Sequence, residues 1–228
     1  MNRAETHPQA AAPGVAGFAA APRGNYDVVV AVFCGLLLIS KVAATKLITI
    51  GPLNFDGGGI LFPLTYILGD VLAEVYGMRR ARRAIIIGFI LAGVMSLCFL
   101  VVGALPPMVS WGNNDAWVSV LGFVPRIVVA SLCGYLVGQL LNAFVLVKVK
   151  QRTKERALWA RLVSSTIVGE FADTLVFCTV AFVGTIPFGD FVNYTGVGFV
   201  YKVTVEVVFL PVTYRVIKAV KKREPSYG

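Results

Sequence analysis

Nine ionisable side chains lie in segments otherwise too apolar to hold them: Lys41, Lys46, Asp70, Glu74, Arg126, Glu170, Asp173, Lys202 and Glu206. Each would cost about 2.5–3.5 kcal/mol at the centre of a membrane helix even on the lenient insertion scale, so they are expected to face one another or a wet cavity. Spacing groups them. Asp70 and Glu74 are four apart, Glu170 and Asp173 three, and Lys202 and Glu206 four, so each pair shares one face of its helix. Gln139 and Asn142 add amides to the helix that carries Arg126. Such a set can bind a polar solute in a largely apolar pocket, and a buried carboxylate can also carry a coupling proton. Lys46, near an outer helix end, can snorkel to the interface, and Glu74 approaches the inner one.

Two other uses of these charges rank lower. They could serve only to glue helices together, a modest role for polar groups in membranes. Nine ionisable groups in one six-helix unit is a costly way to do so. An intramembrane enzyme could use Asp70/Glu74 and Glu170/Asp173 as general acids or metal ligands, but no histidine accompanies the acids and no nucleophile is paired with a base. The single histidine, His7, lies in an Ala/Pro/Gly-rich stretch, and Cys34, Cys98, Cys133 and Cys178 sit singly in apolar runs. No metal or other cofactor is expected.

The elements that position these charges follow from composition. Of 228 residues, 57% are apolar and 14% charged, against roughly 25% charged in soluble domains. Mean hydropathy is +0.77. Six apolar segments, 27–50, 60–78, 84–105, 117–147, 162–186 and 193–217, approach the ~20 residues that a helix needs to span the hydrocarbon core. The expected fold is an all-α integral membrane protein of six transmembrane helices. Residues 1–25 read as a disordered cytoplasmic tail, 26–218 as the six-helix domain and 219–228 as a basic cytoplasmic tail.

Charge sets the expected orientation. Basic residues fall in the N-terminal tail, at Arg79, Arg80, Arg82 and Arg83, between Lys148 and Arg161, and from Arg215 to Arg223. The alternate connections, 51–59, 106–116 and 187–192, hold no Lys or Arg, only Asp56, Asp115 and Asp190. Both termini are therefore expected in the cytoplasm, and the location expected is the bacterial inner membrane. Trp111 and Trp117 then fall at the outer interface and Trp159 at the inner one. Topology and attraction to anionic headgroups account for the net charge of +9, so a lipid bilayer and no nucleic acid is the expected partner.

Smaller patterns refine this. Gly69-Asp70 with an acid at 74 parallels Gly169-Glu170 with an acid at 173, which raises two inverted three-helix halves with a midplane site. Ala130, Gly134 and Gly138 form a small-residue stripe suited to close helix packing within one subunit, or between the subunits of a homodimer. Gly57-Gly58-Gly59 lacks the Lys-Ser/Thr of a phosphate loop and reads as a flexible turn into the second helix.

Ordered motifs add a resemblance. Ala44-Thr45-Lys46, Phe62-Pro63-Leu64-Thr65, then Asp70, Glu74, Tyr76 and Gly77 before Arg79-Arg80-Ala81-Arg82-Arg83, resemble the queuosine precursor transporters of the vitamin uptake family. Arg126-Ile127, Ala130-Ser131, Gly138-Gln139, Ser165-Thr166, Asp173-Thr174-Leu175, Tyr201-Lys202-Val203 and Phe209-Leu210-Pro211 continue the match over roughly residues 40–215. The resemblance implies an inner-membrane importer of 7-cyano-7-deazaguanine, with the 7-aminomethyl form or queuine as further candidates, for tRNA modification. Its wider relatives resemble the substrate-binding subunits of energy-coupling-factor importers, so another vitamin is the alternative substrate. One departure is Lys41, where the family often has Asn.

The residues fit a deazapurine. A guanine-type edge presents adjacent N–H and amino donors that a carboxylate accepts together, a role for Asp70 or for Glu170/Asp173. Gln139 and Asn142 could read the carbonyl and ring nitrogen, and Phe62, Tyr66, Phe171 or Tyr201 could stack on the ring. Counting all nine intramembrane charges leaves a net of minus one, which favours a cationic aminomethyl substrate or a protonated acid.

Overall fold

The computed structural model describes residues 24–153 and 158–224. The N-terminal tail with His7, the loop cations Lys154 and Arg156, and residues 225–228 lie outside the described residues, as does the side chain of Trp159. Seven α-helices and one β-hairpin run in the order α1 (Tyr26–Ala43), β1 (Leu47–Ile50), β2 (Leu53–Asp56), α2 (Phe62–Tyr76), α3 (Met78–Ala104), α4 (Asn114–Leu121), α5 (Val124–Thr153), α6 (Leu158–Phe182) and α7 (Phe188–Arg223). Among the described residues six helical spans are long and apolar enough to cross a membrane, with α2 extended by a 3-10 turn at Gly57–Leu61 and α4 joining α5 in one span. The six expected crossings are therefore present.

Three boundaries differ from expectation. The first helix stops at Ala43 instead of continuing to residue 50. Its former last turn becomes β1, which pairs antiparallel with β2 in the register Leu47↔Asp56 to Ile50↔Leu53. β-branched Ile48, Thr49 and Ile50 favour the extended chain, and Gly51, at φ 59°, makes the turn with Pro52. The fourth span, expected as one segment over 117–147, is broken at Gly122-Phe123 into α4 and α5, with Pro125 in the first turn of α5. Finally, α7 is 36 residues long, about 54 Å of axis, and its helix includes residues 219–223.

The triglycine is a packing element and not a flexible turn. Asp56 caps the 3-10 turn by accepting from the Gly59 N–H at 3.0 Å. A Cβ on Gly57 would stand 2.7 Å from the Ala43 carbonyl oxygen, and one on Gly58 would collide with that of Ser40. Only glycine lets this turn seat on the end of α1.

Helix packing follows the small residues. α5 and α6 form the most extensive helix pair. A Cβ on Gly134 would lie 2.7 Å from the Asp173 carbonyl oxygen, and one on Gly138 would lie 2.8 Å from Asp173 Cβ. The stripe on α5 thus works within the subunit, pressing α6 close and fixing the height of Asp173. A second core joins Phe33 and Cys34 of α1 to Ile67, Val71, Leu72 and Val75 of α2, with Ala81 and Ala84 of α3.

The two ends of the bundle are chemically distinct. At the basic end, Gly77, at φ 85°, separates α2 from α3 and places four arginines in the first turns of α3. Cations there oppose the helix dipole, so their position reflects the membrane and not capping. The same end is clasped by Glu224, whose buried carboxylate accepts from Tyr76 Oη at 3.1 Å and from the Asn25 N–H at 3.2 Å. At the hairpin end, Asn54 donates twice across to α7: its backbone N–H to Asn193 Oδ1 at 3.0 Å and its side-chain Nδ2 to Asp190 Oδ1 at 3.2 Å.

Candidate functional site

A cavity of about 360 Å³ opens between the two halves of the bundle. Its polar wall consists of Lys41 from α1, Asp56 from the end of β2, Ser131 from α5, Asp173 from α6 and Lys202 from α7. Phe62 and Tyr66 of α2, Phe89 of α3, Tyr135 of α5 and Phe177 of α6 supply aromatic surface. An adjoining chamber of about 70 Å³ shares Asp56, Phe62, Phe177 and Lys202 and adds Tyr194 and Tyr201.

The central contact is an ion pair. Lys202 Nζ donates to Asp173 Oδ2 and lies 3.6 Å from Glu170 Oε2, so one ammonium serves both carboxylates of the α6 face. Their side chains are 22–27% exposed, and Asp173 and Lys202 line the cavity. The Lys202 ammonium also stands 5.7 Å from the Phe62 ring centre, a cation–π distance. Glu206 lies within electrostatic range of Glu170, Lys202 and Asp70, and Tyr66 of Asp70, Glu206 and Glu170. The acids on α2, α6 and α7 therefore form one connected group beside the cavity.

The roof is the hairpin. Asp56 Oδ2 accepts from Tyr194 Oη while Oδ1 accepts from Gly59, so the carboxylate ties the 3-10 turn to α7. Tyr201 Oη donates to the Gly59 carbonyl at 3.0 Å, and Asn193 donates to that of Pro52 at 3.0 Å.

Of the residues expected at the site, Asp173, Lys202, Phe62 and Tyr66 line the main cavity, and Tyr201 lines the adjoining chamber. Glu170 reaches it through Lys202, and Asp70 and Glu206 stand in the acid group next to it. Others are placed elsewhere. Glu74 pairs with Lys221 at 3.0 Å at the basic end, with its side chain 61% exposed. Arg126 donates from Nε to the Val180 carbonyl at 2.8 Å and from Nη2 to that of Val183 at 2.7 Å, capping the end of α6. Carbonyls left free at a helix end thus take up two of its donors, and Arg126 does not line the main cavity.

The amides also stay outside the cavity. Gln139 is exposed on α5, and Asn142 packs against Gly169, where an added Cβ would lie 2.8 Å from Asn142 Cβ. Phe171 is half exposed and meets Phe199 edge-on at 5.5 Å. The cavities also take in residues to which the sequence assigns no site role: Asp56, expected in an outer connection, Ser131, known only from the Ala130-Ser131 motif, Lys41, one of the nine intramembrane charges, and Tyr135 and Tyr194.

Six membrane-crossing helices around a charged, solute-sized cavity define a multi-pass membrane transporter. The family model described as "Putative vitamin uptake transporter" matches residues 56–216, and the chain belongs to that family. Over 190 residues it is 28% identical to a Bacillus subtilis (strain 168) protein named "Probable queuosine precursor transporter", covering 82% of each chain. Over 125 residues it is 33% identical to the Escherichia coli (strain K12) "Queuosine precursor transporter", covering 55% of this chain and 54% of that one. A Haemophilus influenzae relative named "Probable queuosine precursor transporter" is 30% identical over 125 residues, 55% of this chain and 51% of its own. No solved structure matches the chain.

Proposed function

We propose that this transporter carries a 7-deazaguanine precursor of queuosine inward across the bacterial inner membrane, with both of its termini cytoplasmic. The observation that carries this reading is the Asp173–Lys202 pair set in the wall of an aromatic cavity. A carboxylate accepts the adjacent N–H and amino donors of a guanine edge, and an ammonium donates to the neighbouring carbonyl. Phe62, Tyr66 and Phe177 offer flat apolar surface to the ring, and such stacking is worth roughly 1–3 kcal/mol per base elsewhere. The cavity volume falls in the ~300–1,000 Å³ range of small-molecule sites. The printed names of the relatives support the same substrate class.

The acid group of Asp70, Glu170 and Glu206 is the proposed place for a coupling proton. Uptake into vesicles that ignores an imposed pH gradient removes proton coupling from the account.

The substrate is tested in a bacterium unable to make or import queuosine precursors. Expression of this chain with added 7-cyano-7-deazaguanine should restore queuosine in tRNA, and Asp173→Asn should not, despite normal membrane insertion. Failure of the wild type with every deazaguanine would overturn the substrate. Rescue by Asp173→Asn would overturn the site.

A further inference from the structure

Lys41 lines the cavity and, among the described residues, forms no ion pair. Its ammonium donates to Ser131 Oγ at 2.7 Å, and Ser131 spends its own hydrogen on the Ile127 carbonyl at 2.9 Å. The serine is thereby fixed as an acceptor facing α1. An ammonium has three N–H donors and no acceptor, so this contact leaves donors over.

The nearby anions are engaged with other partners. Asp173 and Glu170 share Lys202, and Asp56 accepts from Gly59 and Tyr194. Asp56 and Asp173 lie within electrostatic range of Lys41, as does the repelling charge of Lys202. Among the described residues, however, the ion pairs that form are Lys202 with Asp173 and Glu170, and Lys221 with Glu74. Asp70, Glu170 and Glu206 do not line the cavity.

This bears on the group attached to the base. On a 7-deazaguanine the 7-substituent projects beside the ring carbonyl. In a base whose edge is seated on Asp173 and Lys202 that substituent lies beyond the carbonyl, within the cavity that Lys41 also lines.

We infer that Lys41 is a specificity-determining residue that selects deazaguanines whose 7-substituent accepts a hydrogen bond, a nitrile or a carboxylate, against those whose substituent is an ammonium. The inference rests on the deazaguanine reading above. It reverses the preference for a cationic substrate suggested by the net count of intramembrane charges. An acceptor meets the unused donors of Lys41, whereas a second ammonium leaves them unmet and adds like-charge repulsion in a low-dielectric pocket. Ser131 is the positioning residue.

The test is uptake by proteoliposomes containing the purified chain, supplied separately with 7-cyano-, 7-carboxy- and 7-aminomethyl-7-deazaguanine. The wild type should favour the cyano or carboxy compound over the aminomethyl one by about tenfold or more. Lys41→Met should bring that ratio close to one, and Lys41→Glu should invert it. Ser131→Ala should shift it partway and keeps the test available if the Lys41 variants do not reach the membrane. Wild-type uptake of the aminomethyl compound equal to the cyano compound would overturn the inference alone, as would an unchanged ratio in Lys41→Met and Ser131→Ala. Uptake of none of the three would overturn the deazaguanine reading and this inference with it.

Discussion

Two lysine–carboxylate groups on α7 differ in what surrounds them. Lys202 meets Asp173 and Glu170 at mid-helix, with each side chain about a quarter exposed, while Lys221 meets Glu74 at the basic end, where Glu74 is 61% exposed. All three acids come from pairs spaced to share a helix face. The first group borders the cavity of about 360 Å³ that α1, α2, α3, α5, α6 and α7 line together, whereas Glu74 and Lys221 line a shallower cleft of about 630 Å³ formed with Tyr214, Lys218 and Lys222. Spacing identifies the face that turns inward, but depth decides whether a charge there recognises a ligand or meets the membrane surface.

The largest expected effect breaks the buried group. Lys202→Met leaves Asp173 and Glu170 facing each other without a cation, and it should cost on the order of 3–5 kcal/mol of stability and lower uptake at least about a hundredfold. Thermal unfolding in detergent and vesicle uptake check the two separately. The double variant Lys202→Met/Asp173→Leu should recover most of the stability and none of the uptake, which separates folding from recognition.

Next in size is the helix contact that sets the height of Asp173. Gly138→Val brings a side chain onto Asp173 Cβ and the Gly169 carbonyl, 2.8 and 2.9 Å from the new Cβ. It should destabilise by about 1–3 kcal/mol and weaken uptake more than an equally destabilising change in the α1–α2 core.

The α5–α6 fit also shows how much of the molecule could be read without coordinates. The six spans were legible because a membrane helix must be both long and apolar. Asp173 and Lys202 were legible because a charge in such a span needs a partner. The small-residue stripe marked the α5 surface but not the partner helix that settles against it. Asp56 was not legible: in a loop without Lys or Arg it looks like an ordinary external acid, and only the fold-back of the hairpin brings it over the cavity. Tyr135 carries no formal charge, so nothing in an apolar helix sets it apart, and Ser131 stands out only as part of the Ala130-Ser131 motif, which says nothing of the cavity. Arg126 shows the opposite limit: its donors go to two backbone carbonyls at the end of α6, an arrangement with no side-chain signature in the sequence.

A smaller effect concerns the roof. Tyr194→Phe removes the hydroxyl donor to Asp56 and should cost about 1–3 kcal/mol, with uptake reduced several-fold by a looser hairpin. Increased hydrogen exchange at residues 47–59, and not in α5 or α6, would place the change at the roof.

The smallest effect completes the contrast. Glu74→Gln removes the exposed pair with Lys221 and should change stability by about 0–1 kcal/mol, with uptake unaltered. A large loss of transport in this variant would show that the basic end takes part in the cycle.

On the proposed reading the Asp173–Lys202 group, and not the exposed Glu74–Lys221 pair, recognises the solute. Equilibrium binding of 7-cyano-7-deazaguanine to the purified protein distinguishes the two, with Asp173→Asn and Glu74→Gln measured beside the wild type. Asp173→Asn should raise Kd about a hundredfold or more while Glu74→Gln leaves it within about twofold of the wild type. Wild-type affinity in Asp173→Asn, or its loss in Glu74→Gln, would overturn the assignment.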